Sequence, residues 1–145
     1  MKKFLLTIFV FALFSACASD KTTTYYLIRH AEKDRTNTTN KNPNLNSNGV
    51  IRAEKWAKHF ENIVLDAVYS TDYNRTQQTA APTAKSKDLI VQSYNSSKMY
   101  DSIFKKNTKG KTVLVVGHSD TTPVFANIIL GQKKYKNMAD NDNAS

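Results

Sequence analysis

The hydrophobic pattern of the chain predicts four β-strands. The apolar runs lie at residues 25–30 (YYLIRH), 66–69 (DAVY), 89–91 (LIV) and 112–117 (TVLVVG). The run at 112–117 has consecutive β-forming residues without polar alternation, which is typical of a strand buried on both faces and paired in parallel. The run at 89–91 is short, so it is expected at an edge of the sheet.

Helical spacing predicts two helices in the first half of the chain. Asn46 is a suitable N-cap for a helix over about residues 47–61. The apolar face of this helix consists of Val50, Ala53, Trp56, Ala57 and Phe60. A second helix is expected through residues 75–87, where Pro82 should kink or divide it. Caps for this second helix are available at Ser70, Thr71 and Asp72.

The second half of the chain predicts two more helices and completes the fold class. One is expected around residues 99–106. The last helix is expected to have Thr122 as N-cap and Pro123 at its first position, and to end before Gly131. Strands and helices therefore alternate along the chain, which predicts an α/β, three-layer sandwich with a mostly parallel sheet.

The first residues of the chain have the pattern of a targeting segment. Lys2 and Lys3 precede an apolar run at residues 4–14, which is shorter than the roughly 20 apolar residues of a membrane span. Small residues directly before Cys17 resemble the bacterial lipoprotein signal, in which that cysteine becomes the lipidated first residue. The alternative is an ordinary secretory signal in which the cysteine is incidental.

The expected organisation follows from this signal. We expect a lipoprotein signal peptide at residues 1–16, a tether at 17–24, one folded domain at 25–132 and a polar tail at 133–145. The protein would then lie outside the cytoplasm in a bacterial cell envelope, with membrane lipid as a partner through Cys17.

Composition restricts the chain to one domain that favours anions. The 145 residues are 40% hydrophobic, and 21 Lys and Arg against 12 Asp and Glu give a net charge of +9. A single cysteine excludes an intramolecular disulfide framework and a zinc site built on cysteines. Nucleic acid is not an expected partner, because the lysines are dispersed and no aromatic stacking motif accompanies them.

Cationic side chains follow two of the predicted strands. His30 and His118 end strong apolar runs, and ligands of parallel sheets bind beyond the carboxyl ends of the strands. Arg29 adjoins the first histidine, and Arg75 lies at the start of a helix. Two arginine forks and a helix N-terminus suit the oxygens of a phosphoryl group.

These residues also suggest a reaction. A neutral imidazole is a competent nucleophile that splits phosphoryl transfer into two easier steps through a phosphohistidine. We assign this role to His30, and expect His118 to help hold the equatorial oxygens. This chemistry needs no metal and no other cofactor.

Four segments carry a family resemblance. Residues 27–33 (LIRHAEK), 45–57 (LNSNGVIRAEKWA), 68–80 (VYSTDYNRTQQTA) and 115–123 (VVGHSDTTP) resemble the ordered motifs of the histidine phosphatase superfamily, which has the phosphoglycerate-mutase-like fold. The resemblance implies that Arg29 and Arg75 bind phosphate, that His30 is phosphorylated and that His118 completes the pocket. The implied activity is hydrolysis of a phosphorylated small molecule or a phosphorylated protein.

The sequence departs from the family pattern at three places. Ala31 stands where the family more often has Gly after the histidine. Many members carry a glutamate general acid after the second arginine motif, and here the candidates are Asp101 and, beside the nucleophile, Glu32. If neither protonates the leaving group, phosphoramidates or phosphoanhydrides would be favoured. Members also continue into another strand after the last helix, so that strand is expected to be missing.

Two other functions remain open from the sequence. Only 42 residues separate Arg75 from His118, which leaves no room for a large capping insert and favours hydrolysis of the phosphoenzyme by water. A lipoprotein that binds phosphorylated ligands without turnover is one alternative. A metal site is another, and its ligands would be His30, Glu32, His118 and Asp120. Fixed positive charge on the neighbouring arginines argues against the metal.

Overall fold

A computed structural model of the chain describes residues 21–143. Its four strands form one sheet in the order β1-β4-β2-β3, and every neighbouring pair is parallel. The strands are β1 (Thr24–Arg29), β2 (Ala67–Ser70), β3 (Val91–Ser93) and β4 (Thr112–Gly117). The predicted parallel sheet is confirmed, with β4 inside it and β3 at an edge.

Four helices and one short 3₁₀ turn connect the strands. The helices are α1 (Ser47–His59), α2 (Asn74–Ser86), α3 (Ser102–Thr108) and α4 (Thr121–Leu130), and the 3₁₀ turn is Ser96–Lys98. Within residues 21–143, no strand follows α4 and no helix is long and apolar enough to cross a membrane.

The central strand β4 builds a core on each face of the sheet. Leu114 and Val116 point into one core with Phe60, which follows α1. Val113 and Val115 point into the other, which is rich in aromatic residues and includes Phe104 of α3 and Phe125 of α4. All four β4 side chains are at most 2% exposed. The sheet is therefore the middle layer of the predicted three-layer sandwich.

Several local expectations differ from the structure. Val50 is 53% exposed, because the buried side of α1 is formed by Gly49 and Ala53. Pro82 does not divide α2, which is one helix from Asn74 to Ser86. The N-cap of α4 is Asp120, whose carboxylate accepts the N–H of Thr121, so the helix begins one residue before the predicted cap.

The segment after β1 crosses closely over the start of α1. The N–H of Asn46 donates to the carbonyl oxygen of Glu32 at 2.9 Å, and the Asn46 side chain caps α1 by accepting from Gly49 N. A Cβ at Gly49 would lie 2.2 Å from that same carbonyl oxygen. The absence of a side chain at Gly49 therefore sets how near α1 approaches the segment that carries His30.

Replacing Gly49 by Ala should destabilise the fold. Alanine is a better helix former by about 1 kcal/mol, but the overlap with backbone should outweigh this gain. We expect the free energy of unfolding of Gly49→Ala to fall by about 1–3 kcal/mol in urea titrations followed by circular dichroism. Asn48→Ala, at the exposed neighbouring position, is the control. Equal stability of the two variants would show that the close approach is not a constraint.

Candidate active site

Parallel pairing of β1 with β4 brings the two predicted histidines together. Arg29 lies beside Gly117 in the register, and the N–H of His30 donates to the carbonyl oxygen of Gly117 at 2.9 Å. The imidazole rings of His30 and His118 have their centroids 5.4 Å apart at an angle of 68°. The two strand ends thus form one site, as their positions in the sequence predict.

His30 presents one free ring nitrogen. It is 3% exposed, and its Nδ1 lies 2.7 Å from the carbonyl oxygen of Ala31. A carbonyl oxygen can only accept, so Nδ1 carries the hydrogen and Nε2 keeps its lone pair. The pKa of His30 is lowered to about 3, mainly by burial, and the nearby positive charge of Arg75 contributes to the lowering. At neutral pH the ring is therefore uncharged.

A second helix supports the turn that follows His30. The N–H of Ala31 donates to Thr79 Oγ1 at 2.9 Å, and the Thr79 hydroxyl donates to the carbonyl oxygen of Arg75 at 2.7 Å. The Ala31 methyl packs with Leu45 and Ala53, and Ala31 is fully buried. The small side chain that replaces the family's glycine is therefore accommodated in a satellite core.

His118 is held on both sides of its ring. Its Nε2 lies 2.8 Å from Thr71 Oγ1, and its Nδ1 lies 3.4 Å from Nη2 of Arg75. The ring of Tyr73 packs edge-on against it at 5.1 Å. Burial lowers the pKa of His118 to about 4, with Arg75 as the next cause. This imidazole is also uncharged at neutral pH.

The two arginines leave buried N–H groups without acceptors. Within residues 21–143, Nε of Arg29 and both Nε and Nη1 of Arg75 are buried and have no hydrogen-bond partner. The guanidinium of Arg75 lies 4.5 Å from the ring of Tyr73, and burial lowers its pKa. Buried donors of this kind are costly unless an acceptor is supplied, so the site is suited to an anion.

The tail of the chain closes over Arg29, which sequence reasoning did not predict. Nη1 of Arg29 donates to the carbonyl oxygens of Ala139 and Asp142 at 2.7 and 2.6 Å. Nη2 donates to the carbonyl oxygen of Asp140 at 3.1 Å, while the Asp140 carboxylate pairs with Arg35 at 2.8 Å. Part of the predicted polar tail therefore packs against Arg29 and accepts hydrogen bonds from both of its terminal nitrogens. Nε of Arg29 receives no acceptor from the described residues of this segment.

Lys33 is a further cation that the sequence analysis passed over. Its pKa is lowered by burial first and then by the charges of Arg35 and Arg75. Lys33 also lowers the pKa of His118 through its charge. Its place in the LIRHAEK segment, three residues after His30, is the signal that would have found it.

The two predicted general acids have other partners. Nε of Arg52 lies 2.9 Å from each carboxylate oxygen of Glu32, and this contact lowers the pKa of Glu32. Such a carboxylate resists protonation, which argues against a role as an acid. Asp101 accepts the N–H of Phe104 at 2.8 Å as the N-cap of α3. Neither side chain is hydrogen-bonded to His30 or His118.

The predicted metal ligands do not form a cluster. No group of three or more His, Cys, Asp or Glu side chains that could hold a metal ion occurs in the described part of the chain. Glu32 is paired with Arg52, and Asp120 caps α4. The alternative of a His and carboxylate metal site is therefore not supported. Cys17, the predicted lipid attachment point, lies outside the described residues.

Solved structures share the fold of this chain. SixA of Agrobacterium tumefaciens, provisionally assigned as a phosphohistidine phosphatase, has a TM-score of 0.61 at 22% identity, over 75% of this chain and 77% of its own. Phosphoserine phosphatase from Entamoeba histolytica has a TM-score of 0.61 at 18% identity, and the match covers 77% of this chain and 82% of the phosphatase. Mycobacterial glucosyl-3-phosphoglycerate phosphatase has a TM-score of 0.56 at 12% identity, and the match covers 72% of this chain and 77% of that phosphatase.

A sequence comparison identifies the family. The family model described as histidine phosphatase superfamily (branch 1) matches residues 25–97, half of the chain. The matched segment includes Arg29, His30 and Arg75, and His118 lies beyond it, directly after β4. No protein with a curated description matches the chain. The chain belongs to the histidine phosphatase superfamily, branch 1, and is a phosphatase of the histidine-nucleophile type.

Proposed function

We propose that this enzyme hydrolyses phosphomonoesters or related phosphorylated compounds through a phosphohistidine at His30. The observation that carries the proposal is the set of buried guanidinium N–H groups of Arg29 and Arg75 that find no acceptor in the described part of the chain, beside two uncharged imidazoles. A phosphoryl group supplies the acceptors and the negative charge that this pocket needs. It also supplies the phosphorus atom that a neutral imidazole attacks.

In the first step, Nε2 of His30 attacks the phosphorus. An N–P bond forms while the bond from phosphorus to the leaving oxygen or nitrogen breaks, and the electron pair of that bond goes to the leaving group. Arg29 Nε and Arg75 Nε and Nη1 donate to the equatorial oxygens, where charge accumulates in the transition state. The bond from His30 Nδ1–H to Ala31 stabilises the positive charge that develops on the ring.

In the second step, water attacks the phosphohistidine. An O–P bond forms, the N–P bond breaks and inorganic phosphate leaves with the free imidazole restored. Between Arg75 and His118 the chain forms α2, β3, the 3₁₀ turn, α3 and β4, so no large insert is present there to cap the site. The absence of a capping insert favours hydrolysis of the phosphoenzyme by water over transfer to a second substrate, and both small and protein-borne phosphoryl groups are candidate substrates.

Trapping the phosphoenzyme tests the nucleophile. Rapid quenching with a labelled phosphomonoester should give label that is acid-labile and base-stable. His30→Ala should lose the label and reduce kcat by more than about 1,000-fold, the order of loss expected when a nucleophile is removed. His59→Ala, at an exposed position of α1, is the matched control and should behave as wild type. Normal turnover by His30→Ala would overturn the role of His30.

The placement of Glu32 and Asp101 predicts the preferred leaving groups. A phosphatase without a well-placed general acid should depend strongly on how well the leaving group carries negative charge. Across aryl phosphates of graded leaving-group pKa, we expect kcat/KM to rise steeply as that pKa falls, and phosphoramidates to be good substrates. Glu32→Gln should give the same slope as wild type. A flat dependence in the wild type would reveal a working acid.

We further propose that the enzyme is tethered outside the cytoplasm through Cys17. The basic and apolar start of the chain and the small residues before its one cysteine support this tether, because they are typical of a lipoprotein signal. Intact-mass measurement of membrane-extracted protein should find diacylglycerol on Cys17 as the first residue. Cys17→Ser should release the protein from the membrane fraction. An unmodified cysteine in the extracted wild type would contradict the tether and leave the catalytic proposal untouched.

A further inference from the structure

Buried hydroxyl groups form a chain behind His118. Thr71, which directly follows β2, is 2% exposed, and Thr76 in the first turn of α2 is fully buried. Thr71 Oγ1 lies 2.8 Å from His118 Nε2 and 2.9 Å from Thr76 Oγ1. The Thr76 hydroxyl lies 3.0 Å from the carbonyl oxygen of Thr71 and 2.9 Å from that of Tyr73.

The two ends of this chain set the direction of each hydrogen bond in it. At one end, Nη2 of Arg75 lies 3.4 Å from Nδ1 of His118, and a guanidinium can only donate. At the other end, the carbonyl oxygens can only accept. An uncharged imidazole has one N–H, so that hydrogen is on Nε2 and is donated to Thr71. Thr71 then donates to Thr76, which donates to the carbonyl oxygens.

We propose that Thr71 is a positioning residue that holds His118 in one tautomer, with the hydrogen on Nε2 and the lone pair of Nδ1 turned toward Arg75. The inference rests on the proposed function and refines the role of His118. In the resting enzyme, His118 is a proton acceptor toward the site and not a donor to a phosphoryl oxygen. The hydroxyl at position 71 decides which ring nitrogen faces the substrate.

This tautomer lets Nδ1 accept a proton when a phosphate monoester binds as its monoanion, because the negative charge of the ligand opposes the desolvation that keeps His118 uncharged without ligand. The hydrogen bond from Arg75 to Nδ1 breaks, and Arg75 donates to the phosphoryl oxygens instead. The O–H bond of the phosphoryl group breaks, an N–H bond forms at Nδ1 and the phosphoryl group gains one negative charge. His118 becomes an imidazolium whose Nδ1–H donates to the phosphoryl oxygen and whose Nε2–H donates to Thr71. The dianionic phosphoryl group then accepts a hydrogen bond from a cationic imidazolium, and a hydrogen bond between charged groups is stronger than one between neutral groups.

Thr71→Val removes the acceptor for Nε2–H in a buried place. Valine keeps the branched shape, so the change is chemical more than steric. The variant should lose the single tautomer and show a mixture, or the hydrogen on Nδ1. Hydrogen bonds to charged groups are worth about 1.5–3 kcal/mol, so we expect kcat to fall about 10- to 100-fold. Thr71→Ser keeps the hydroxyl and should restore both properties.

A buried threonine of α2 offers a control for the replacement at Thr71. Thr83 is fully buried, and its hydroxyl has no hydrogen-bond partner within residues 21–143. Thr83→Val therefore makes the same chemical change at another buried position without touching the hydrogen-bond chain. It should leave the His118 tautomer and kcat unchanged.

Nitrogen-15 NMR of the ligand-free full chain, labelled at histidine, reads the tautomer directly. We expect a protonated Nε2 and an unprotonated Nδ1 for His118 in wild type, Thr71→Ser and Thr83→Val. A hydrogen on Nδ1 in the wild type would overturn the inference, and this spectrum decides the matter even if Thr71→Val fails to fold. Unchanged tautomer and kcat in a folded Thr71→Val would also overturn it.

The two proposals fail separately in this design. The tautomer is measured without substrate, so its result does not depend on turnover. A wild-type enzyme that forms phosphohistidine but shows the other tautomer would overturn only the role of Thr71. The predicted tautomer in an enzyme that never labels His30 would overturn only the proposed function.

Discussion

The site depends on the parallel pairing of β1 with the central strand β4. Because the two strands run in the same direction and in register, they end at the same edge, and each delivers a histidine there. The bond from His30 N to the carbonyl oxygen of Gly117 locks the two ends together at 2.9 Å. Both strands are fixed by buried aliphatic residues on either face of β4, so the core sets the distance between the imidazoles.

Burial then gives this edge its chemical character. Desolvation lowers the pKa of His30 to about 3 and that of His118 to about 4, beside the guanidinium groups of two arginines. At neutral pH the site therefore combines positive charge with uncharged imidazoles. The Asp140 carboxylate lies 3.4 Å from Nη2 of Arg29, but it is exposed and also pairs with Arg35. Positive charge can bind an anion, and an uncharged nitrogen of His30 can attack it.

Local sequence signals predicted the sheet, the helices and the two histidines, because β1 and β4 are each apolar runs that a histidine directly follows. Contacts between distant segments were not predictable in this way. Arg29 meets a tail carbonyl 110 positions away, and Glu32 is occupied by an arginine 20 positions away. Thr71 has an ordinary capping residue type, and only the fold reveals that its hydroxyl faces His118. Hydrogen bonds between distant residues produce no repeating pattern of residue types, so the sequence alone does not predict them.

A crystal structure with orthovanadate bound is the sharpest test of His30 as the nucleophile, because vanadate adopts the five-coordinate geometry of a phosphoryl group under attack. We expect vanadium bonded to Nε2 of His30, with its equatorial oxygens accepting from Arg29 Nε and from Arg75. Vanadate held elsewhere on the protein, or bound in the pocket through an atom other than His30 Nε2, would contradict this role of His30.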